Sequence, residues 1–211
     1  MSDATGSSAS VTQQLTTFDE ARDHFLARLA DDAERMSRLT QALLTLARVE
    51  SLGAGETEVV DVPIAIRDVV AAVEKPKHVE LVVESEADLT AKGDPTLLRQ
   101  VVIGLLTNAF KNTPPPGTVT VRGRRDGEKD VILEVIDTGT GIPTAEIERV
   151  FERFYRRSET RKQEGFGLGL AIARRMVDVM GGEIGAKSVT GEGSTFWVRL
   201  PVAQPSPTPV A

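Results

Sequence analysis

Asn108-Ala-Phe-Lys111, Asp137-Thr-Gly139-Thr-Gly141 and Gly165-Phe-Gly167-Leu-Gly169-Leu170 stand in that order along the chain, and the elements around them decide the fold. The first cluster closes a segment, residues 95–112, whose Leu98, Val101, Val102, Leu105 and Leu106 recur at helical steps until Pro114, Pro115 and Pro116 end it. The second follows Val131, Leu133 and Val135, an alternation that predicts a strand running straight into a glycine turn. The third opens an apolar helix over residues 168–180 that Gly181-Gly182 would cap.

Farther out, residues 62–73 read as a helix, 79–83 and 119–123 as strands, and 144–151 as a short helix leading into a charged, aromatic loop. Residues 183–186 and 195–200 form a closing hairpin. Upstream, Phe25, Leu29, Met36, Leu39, Leu43 and Leu46 recur at three- and four-residue steps, with Arg28, Asp31, Glu34, Arg35 and Arg38 largely elsewhere. That pattern is one long amphipathic helix of roughly 50 Å, whose apolar stripe its own turns cannot cover. The organisation expected is a Ser/Thr/Gln-rich tail at 1–17, the helix at 18–52, a glycine-containing linker at 53–58, a globular domain at 59–201 and a proline-rich tail at 202–211.

Composition narrows the function classes. With 40% apolar and 27% charged residues in 211, the chain is ordinary globular material. No uncharged apolar run approaches the roughly eighteen residues of a membrane span, so the sequence predicts a chain with no membrane segment, at home in the cytoplasm even if its parent protein is membrane-attached. The absence of cysteine excludes disulfides and thiolate metal sites. A formal net charge of −6 disfavours nucleic acid as a partner, because such binding relies on basic surface to release counterions.

Each cluster has a plain reading and a chemical one. Glycine lets backbone N–H groups approach a phosphate, and Gly165, Gly167 and Gly169 lead into a helix N-terminus, where the dipole favours anions; a flexible surface loop would look the same. Asp137 is aimed from a strand end with Gly139 and Gly141 leaving room beside it, but Asp-Thr-Gly is also a common turn. Asn108 and Lys111, three apart, project to one side of a helix. The amide oxygen is a hard ligand suited to Mg²⁺ and the ammonium is a point charge suited to phosphates, though a helix-end hydrogen bond and a solvated charge would explain them singly.

Taken together and in this order, the clusters resemble the N, G1 and G2 boxes of the sensor histidine kinases and the wider GHKL ATPases, over about residues 18–201. The resemblance implies a two-layer α/β sandwich, a mixed sheet covered by helices, preceded by one long amphipathic helix. It implies ATP and Mg²⁺ as cofactors, with Asn108 as the metal ligand and Asp137 accepting the adenine amino hydrogen. Lys111, Gly139, Gly141, Gly165, Gly167, Leu168, Gly169 and Leu170 would complete the nucleotide site, and Thr195 would stand on its adenine side. Phe151-Glu-Arg-Phe154-Tyr155-Arg156-Arg157 looks like the F box and lid, with Phe151 and Phe154 packing as anchors, Arg156 reaching the γ-phosphate and residues 158–164 as the lid tip.

Departures from the family pattern are equally informative. Gly104 replaces a second Asn four residues before Asn108, and Asn112 replaces an aromatic residue after the Lys; both would weaken nucleotide binding. Neither histidine has an acceptor context: His24 lacks the following acid and proline and sits on what resembles the second helix of a dimerisation hairpin, and His78 precedes a strand. The implied protein is the ATP-binding catalytic portion of a histidine protein kinase that does not autophosphorylate within this chain, since the acceptor helix and its general base are missing. It would place the γ-phosphate for a His on another helix or chain, pair as a homodimer or hetero-oligomer through residues 25–46, and serve a response regulator downstream. Two alternatives share the fold: a degenerate nucleotide-binding module that regulates another kinase through its helix, and a serine kinase of the anti-sigma type, against which the long helix argues.

Overall fold

The computed structural model describes the backbone of residues 5–53, 58–156 and 165–203 and, along the first helix, side chains at Arg22 and from His24 onward. Two compact units divide between Leu44 and Thr45. The first is most of α1 (Thr5–Ser51), which begins at Thr5 rather than at residue 18. No proline interrupts the segment, and propagating a helix costs far less than nucleating one. Phe25, Leu26, Leu29, Met36, Leu43 and Leu44 are all exposed along it. No helix among the described residues is long and apolar enough to cross a membrane.

The second unit claims the end of α1. Leu46 and Val49 are buried, Glu50 pairs with Arg153, and the Arg175 guanidinium donates to the Leu52 carbonyl at 3.3 Å. The boundary expected at residue 52 therefore falls earlier, inside the helix. Residues 54–57 of the expected linker lie outside the described residues, as do 1–4 and 204–211 of the expected tails, Arg157 and the expected lid tip at 158–164.

A five-stranded mixed sheet forms one layer, in the order β2 (Val79–Ser85), β4 (Gly117–Asp126), β5 (Asp130–Asp137), β7 (Gly193–Pro201), β6 (Glu183–Val189); β2 and β4 are parallel and the other pairs antiparallel. Its inner face carries Val119, Val121, Leu133, Val135, Phe196, Val198 and Leu200, alternating as a half-buried sheet requires. Against it lie α2 (Val62–Ala72), α3 (Pro95–Asn112) and α4 (Gly169–Val179). This is the two-layer α/β sandwich the sequence implied.

The helix starts follow from local chemistry. Asp61 accepts from the Ile64 N–H at 2.9 Å and Asp94 from the Thr96 and Leu97 N–H groups at 2.7 and 3.0 Å, each with a proline just inside the helix. At the far end of α4, Gly181 at φ +72 lets its own and the Gly182 N–H close on the Asp178 and Val177 carbonyls. The expected short helix at 144–151 is two 3₁₀ turns, Thr144–Glu146 and Glu148–Phe151.

A second, two-stranded sheet, β1 (Glu58–Asp61) against β3 (Thr90–Gly93), has no counterpart in the sequence pattern. Val202 bridges Ala91, and the buried Ala203 donates to the Thr90 carbonyl at 3.1 Å, so the domain runs two residues into the stretch expected as a tail.

The outer face of the large sheet carries a charge ladder. Glu84 on β2 pairs with Arg122 on β4, and Glu134 on β5 holds Arg122 at 3.8 Å and Arg124 at 3.2 Å. Asp126 meets Arg199 on β7, which reaches Glu183 on β6. The Arg124 guanidinium is held above its ordinary range chiefly by its hydrogen bond to Glu134. Arg199 also lies over the Trp197 ring, 5.1 Å from its centre.

Candidate nucleotide site

The site lies where α3, the turn after β5, the 3₁₀ turns, the start of α4 and β7 converge on a cleft of about 360 Å³. One wall is a stripe of α3: Gly104, Thr107, Asn108 and Lys111 fall at the three- and four-residue spacing that puts helical side chains on one face. Asn112 follows, its side-chain amide donating to the Asn108 carbonyl at 2.8 Å and to Asn108 Oδ1 at 3.3 Å.

Asp137 is 3% exposed at the end of β5 and lines the cleft. Burial pushes its carboxyl above the ordinary carboxylate range, and hydrogen bonds from the Gly139 and Ser194 backbone N–H groups partly offset this. The Gly139 N–H meets Oδ1 at 2.9 Å. Gly139 does not itself line the cleft; it lets α3 close against the turn, since a Cβ there would overlap the Asn112 carbonyl, which also accepts from the Thr140 N–H at 3.2 Å. Gly141, at φ +67, does line it.

The third cluster behaves as a helix start. Gly165, Gly167, Gly169 and Leu170 border the cleft, and the residue at the N-cap of α4, Leu168, makes no side-chain cap, so among the described residues the helix start lies open to the cleft. Leu168 is 2% exposed and packs beneath rather than lining it. Gly167, at φ +68, accepts the Phe154 N–H at 2.9 Å, tying the chain after the 3₁₀ turns to the approach to α4.

Arg156 and Tyr155 reach the cleft. Phe151 is buried edge-on to Phe196, ring centres 6.2 Å apart, as an anchor should be. Phe154, expected to pack likewise, is instead 59% exposed at φ 62. Thr195 also departs from expectation. Side chains alternate along β7, and with Ser194 and Phe196 on the cleft side Thr195 faces the other way. Sequence reasoning passed over Thr107, Ser194 and Phe196 as cleft residues, although the helical stripe through Asn108 and the strand alternation beside Thr195 carried the signal; Asn112, read as a departure from the family pattern, does line the cleft.

Gly104 is open: a Cβ built there meets nothing within 4 Å. Since glycine in a helix interior costs roughly 0.5–1 kcal/mol relative to alanine, Gly104→Ala is expected to stabilise the protein by about that amount in urea denaturation. A loss of stability would mean that the space beside Asn108 is not empty.

The donor set fits Mg²⁺. Among the described residues no group of three or more His, Cys, Asp or Glu could cage a metal, while Asn108 offers one hard oxygen beside Lys111. One protein oxygen suits an ion that keeps its waters and takes its remaining ligands from substrate phosphates.

A mixed sheet under three helices, with a buried carboxylate, an amide and two cations around glycine-rich turns, defines an ATP-binding domain. Residues 93–204 match the family of histidine kinase-, DNA gyrase B- and HSP90-like ATPases, and the chain belongs to that family, as the ATP-binding catalytic portion of a sensor histidine kinase. It is 38% identical over 196 residues to the probable sensor histidine kinase TcrY of Mycobacterium tuberculosis, covering 91% of this chain and 41% of TcrY. It is 36% identical over 184 residues to the sensor histidine kinase WalK of Bacillus subtilis, covering 84% of this chain and 30% of WalK. Among solved structures, full-length ShkA in complex with AMPPNP superposes with a TM-score of 0.69 at 28% identity, over 93% of this chain and 40% of that one. The chain thus spans less than half the length of these relatives.

Proposed function

We propose that this domain holds Mg-ATP and presents its γ-phosphate to a histidine on another helix or another polypeptide. The observation that carries this reading is the convergence of Asn108, Lys111, Asp137, Arg156 and the uncapped start of α4 on one cleft. The nucleotide supplies the phosphoryl group and the metal neutralises charge on its phosphates. Asp137 accepts a hydrogen from the adenine amino group, Asn108 gives the metal its protein oxygen, and Lys111 and Arg156 balance the anionic tail with the N–H groups of α4. Such a domain positions and stabilises charge rather than performing covalent chemistry of its own.

The acceptor lies elsewhere in this reading. His24 is exposed on α1 and His78 is exposed in the turn before β2, and neither has the acid and proline of an acceptor motif. The response regulator would take the phosphoryl group from that external histidine, with both proteins in the cytoplasm. Titration calorimetry with a nonhydrolysable ATP analogue, with and without Mg²⁺, tests the nucleotide half, and transfer of labelled phosphate to a His-bearing hairpin tests the kinase half.

Exposed Phe25, Leu29, Met36 and Leu43 support association through α1, because each apolar side chain that is fully buried is worth roughly 1.5–3 kcal/mol. Sedimentation velocity is expected to show a dimer or larger species, reverting to monomer in Leu29→Glu/Met36→Glu. A wild-type monomer at high concentration would remove self-association from the reading and leave a foreign helix as the partner. The degenerate-module alternative is favoured by one observation, the bare space at Gly104; metal-dependent binding without any phosphotransfer would select it.

A further inference from the structure

Four residues before Asn108, helix α3 offers nothing that could hold the Asn108 side chain: Gly104 has no side chain and its Cβ position is empty. Four residues after it stands Asn112, on the same face and lining the same cleft. Its Nδ2 donates twice to one residue, to the Asn108 carbonyl at 2.8 Å and to Asn108 Oδ1 at 3.3 Å. The Asn112 carbonyl meanwhile accepts the Thr140 N–H at 3.2 Å, which anchors Asn112 to the turn that follows Asp137.

An amide has a donor end and an acceptor end, and an unsupported Asn can present either to a ligand. A donor fixed at Asn108 Oδ1 selects one rotamer and forbids the flip, because the flipped amide would set N–H against N–H. The oxygen keeps a second lone pair for a cation. We infer that Asn112 is a positioning residue that orients the Asn108 amide oxygen toward the metal, supporting from the C-terminal side a ligand that Gly104 leaves unsupported from the N-terminal side. This rests on the proposed Mg-nucleotide reading of the cleft. Groups that orient a metal ligand from behind commonly matter almost as much to affinity as the ligand itself.

The test is the ratio of nucleotide Kd in EDTA to Kd in saturating Mg²⁺, measured by calorimetry with a nonhydrolysable ATP analogue. Asn112→Leu removes both donor contacts. Asn112→Ser can still bond the carbonyl four residues back, as Thr113 does to Ala109 at 2.7 Å, but cannot reach Oδ1 as well, so it guards against simple loss of the helix end. Both variants are expected to lower the ratio about tenfold, because a change in the cleft lining that does not involve the metal alters both Kd values alike and cancels from it. Asn108→Ala/Asn112→Ser should lose no more than Asn108→Ala alone. Equal weakening with and without metal, wild-type behaviour of Asn112→Ser, or an additive double variant would each overturn the positioning role and leave the nucleotide site standing. Wild-type protein that binds no nucleotide would overturn both.

Discussion

Asp137→Asn is expected to reduce nucleotide affinity by about a hundredfold or more while leaving the fold intact. The carboxylate is fixed from behind, with the Gly139 N–H on Oδ1. An asparagine would keep that bond through its own oxygen and so turn its NH₂ toward the cleft, donor against the adenine amino group. Sites built to satisfy one hydrogen-bonding pattern discriminate strongly against its inverse, since a buried group is left unpaired. Calorimetry measures the loss, and retained affinity would mean that the base is held by other groups.

The same substitution has an opposite effect on the unliganded protein. Burial raises the Asp137 pKa above its unfolded value near 3.8, so the folded state holds the proton more tightly than the unfolded one. Stability from this group is therefore fully present below the unfolded pKa and is lost as pH rises through the raised folded value. The neutral amide of the Asp137→Asn variant carries no such penalty. Melting curves should show the variant at least as stable as wild type near neutrality, with the difference closing as the pH falls through the raised folded value toward about 4. A variant less stable at every pH would indicate a structural role for the charge.

Gly141→Ala is the second large effect, a loss of about 2–4 kcal/mol in urea denaturation. Two costs add. The residue sits at φ +67, unfavourable for any side chain, and its Cβ would overlap the Val189 carbonyl in backbone that cannot rotate away. Relief requires moving the β6–β7 turn, which the Gly191 N–H holds to the Thr140 carbonyl at 2.9 Å and Ser188 holds to the Ile142 N–H at 2.7 Å. Gly127 is the control: it has nearly the same φ, +71, with nothing within 4 Å of a Cβ. Gly127→Ala should cost only about 1 kcal/mol, and equal losses at the two sites would discard the steric explanation.

What could be read in advance depended on how much pattern each element carries. The α3 stripe from Leu98 to Leu106, the alternation before Asp137 and the apolar helix after Gly169 each present several turns or strand positions to the core, so their periodicity is legible. Glu58–Asp61 and Thr90–Gly93 are four residues each and bury only Val60 in the one and Ala91 and Gly93 in the other, too little for alternation to register. They form because they find each other and Val202 in space. The glycine clusters were legible as a site because their spacing reflects backbone geometry, whereas Thr195 was placed from its motif alone, against the alternation of Phe196, Val198 and Leu200 that turns it to the other face. Phe154 likewise gave no sign that its backbone would lie at φ 62 and expose the ring.

The charge ladder on the outer face of the sheet acts as a vernier during assembly. Sliding β4 by one residue past β5 would turn Arg122 and Arg124 toward the helices and Val119 and Val121 toward water, while separating both guanidiniums from Glu134. A misaligned sheet is thus penalised on both faces at once. The strand end that carries Asp137 and the strand start that carries Ser194 are thereby held to one alignment by charges on the face of the sheet away from the cleft.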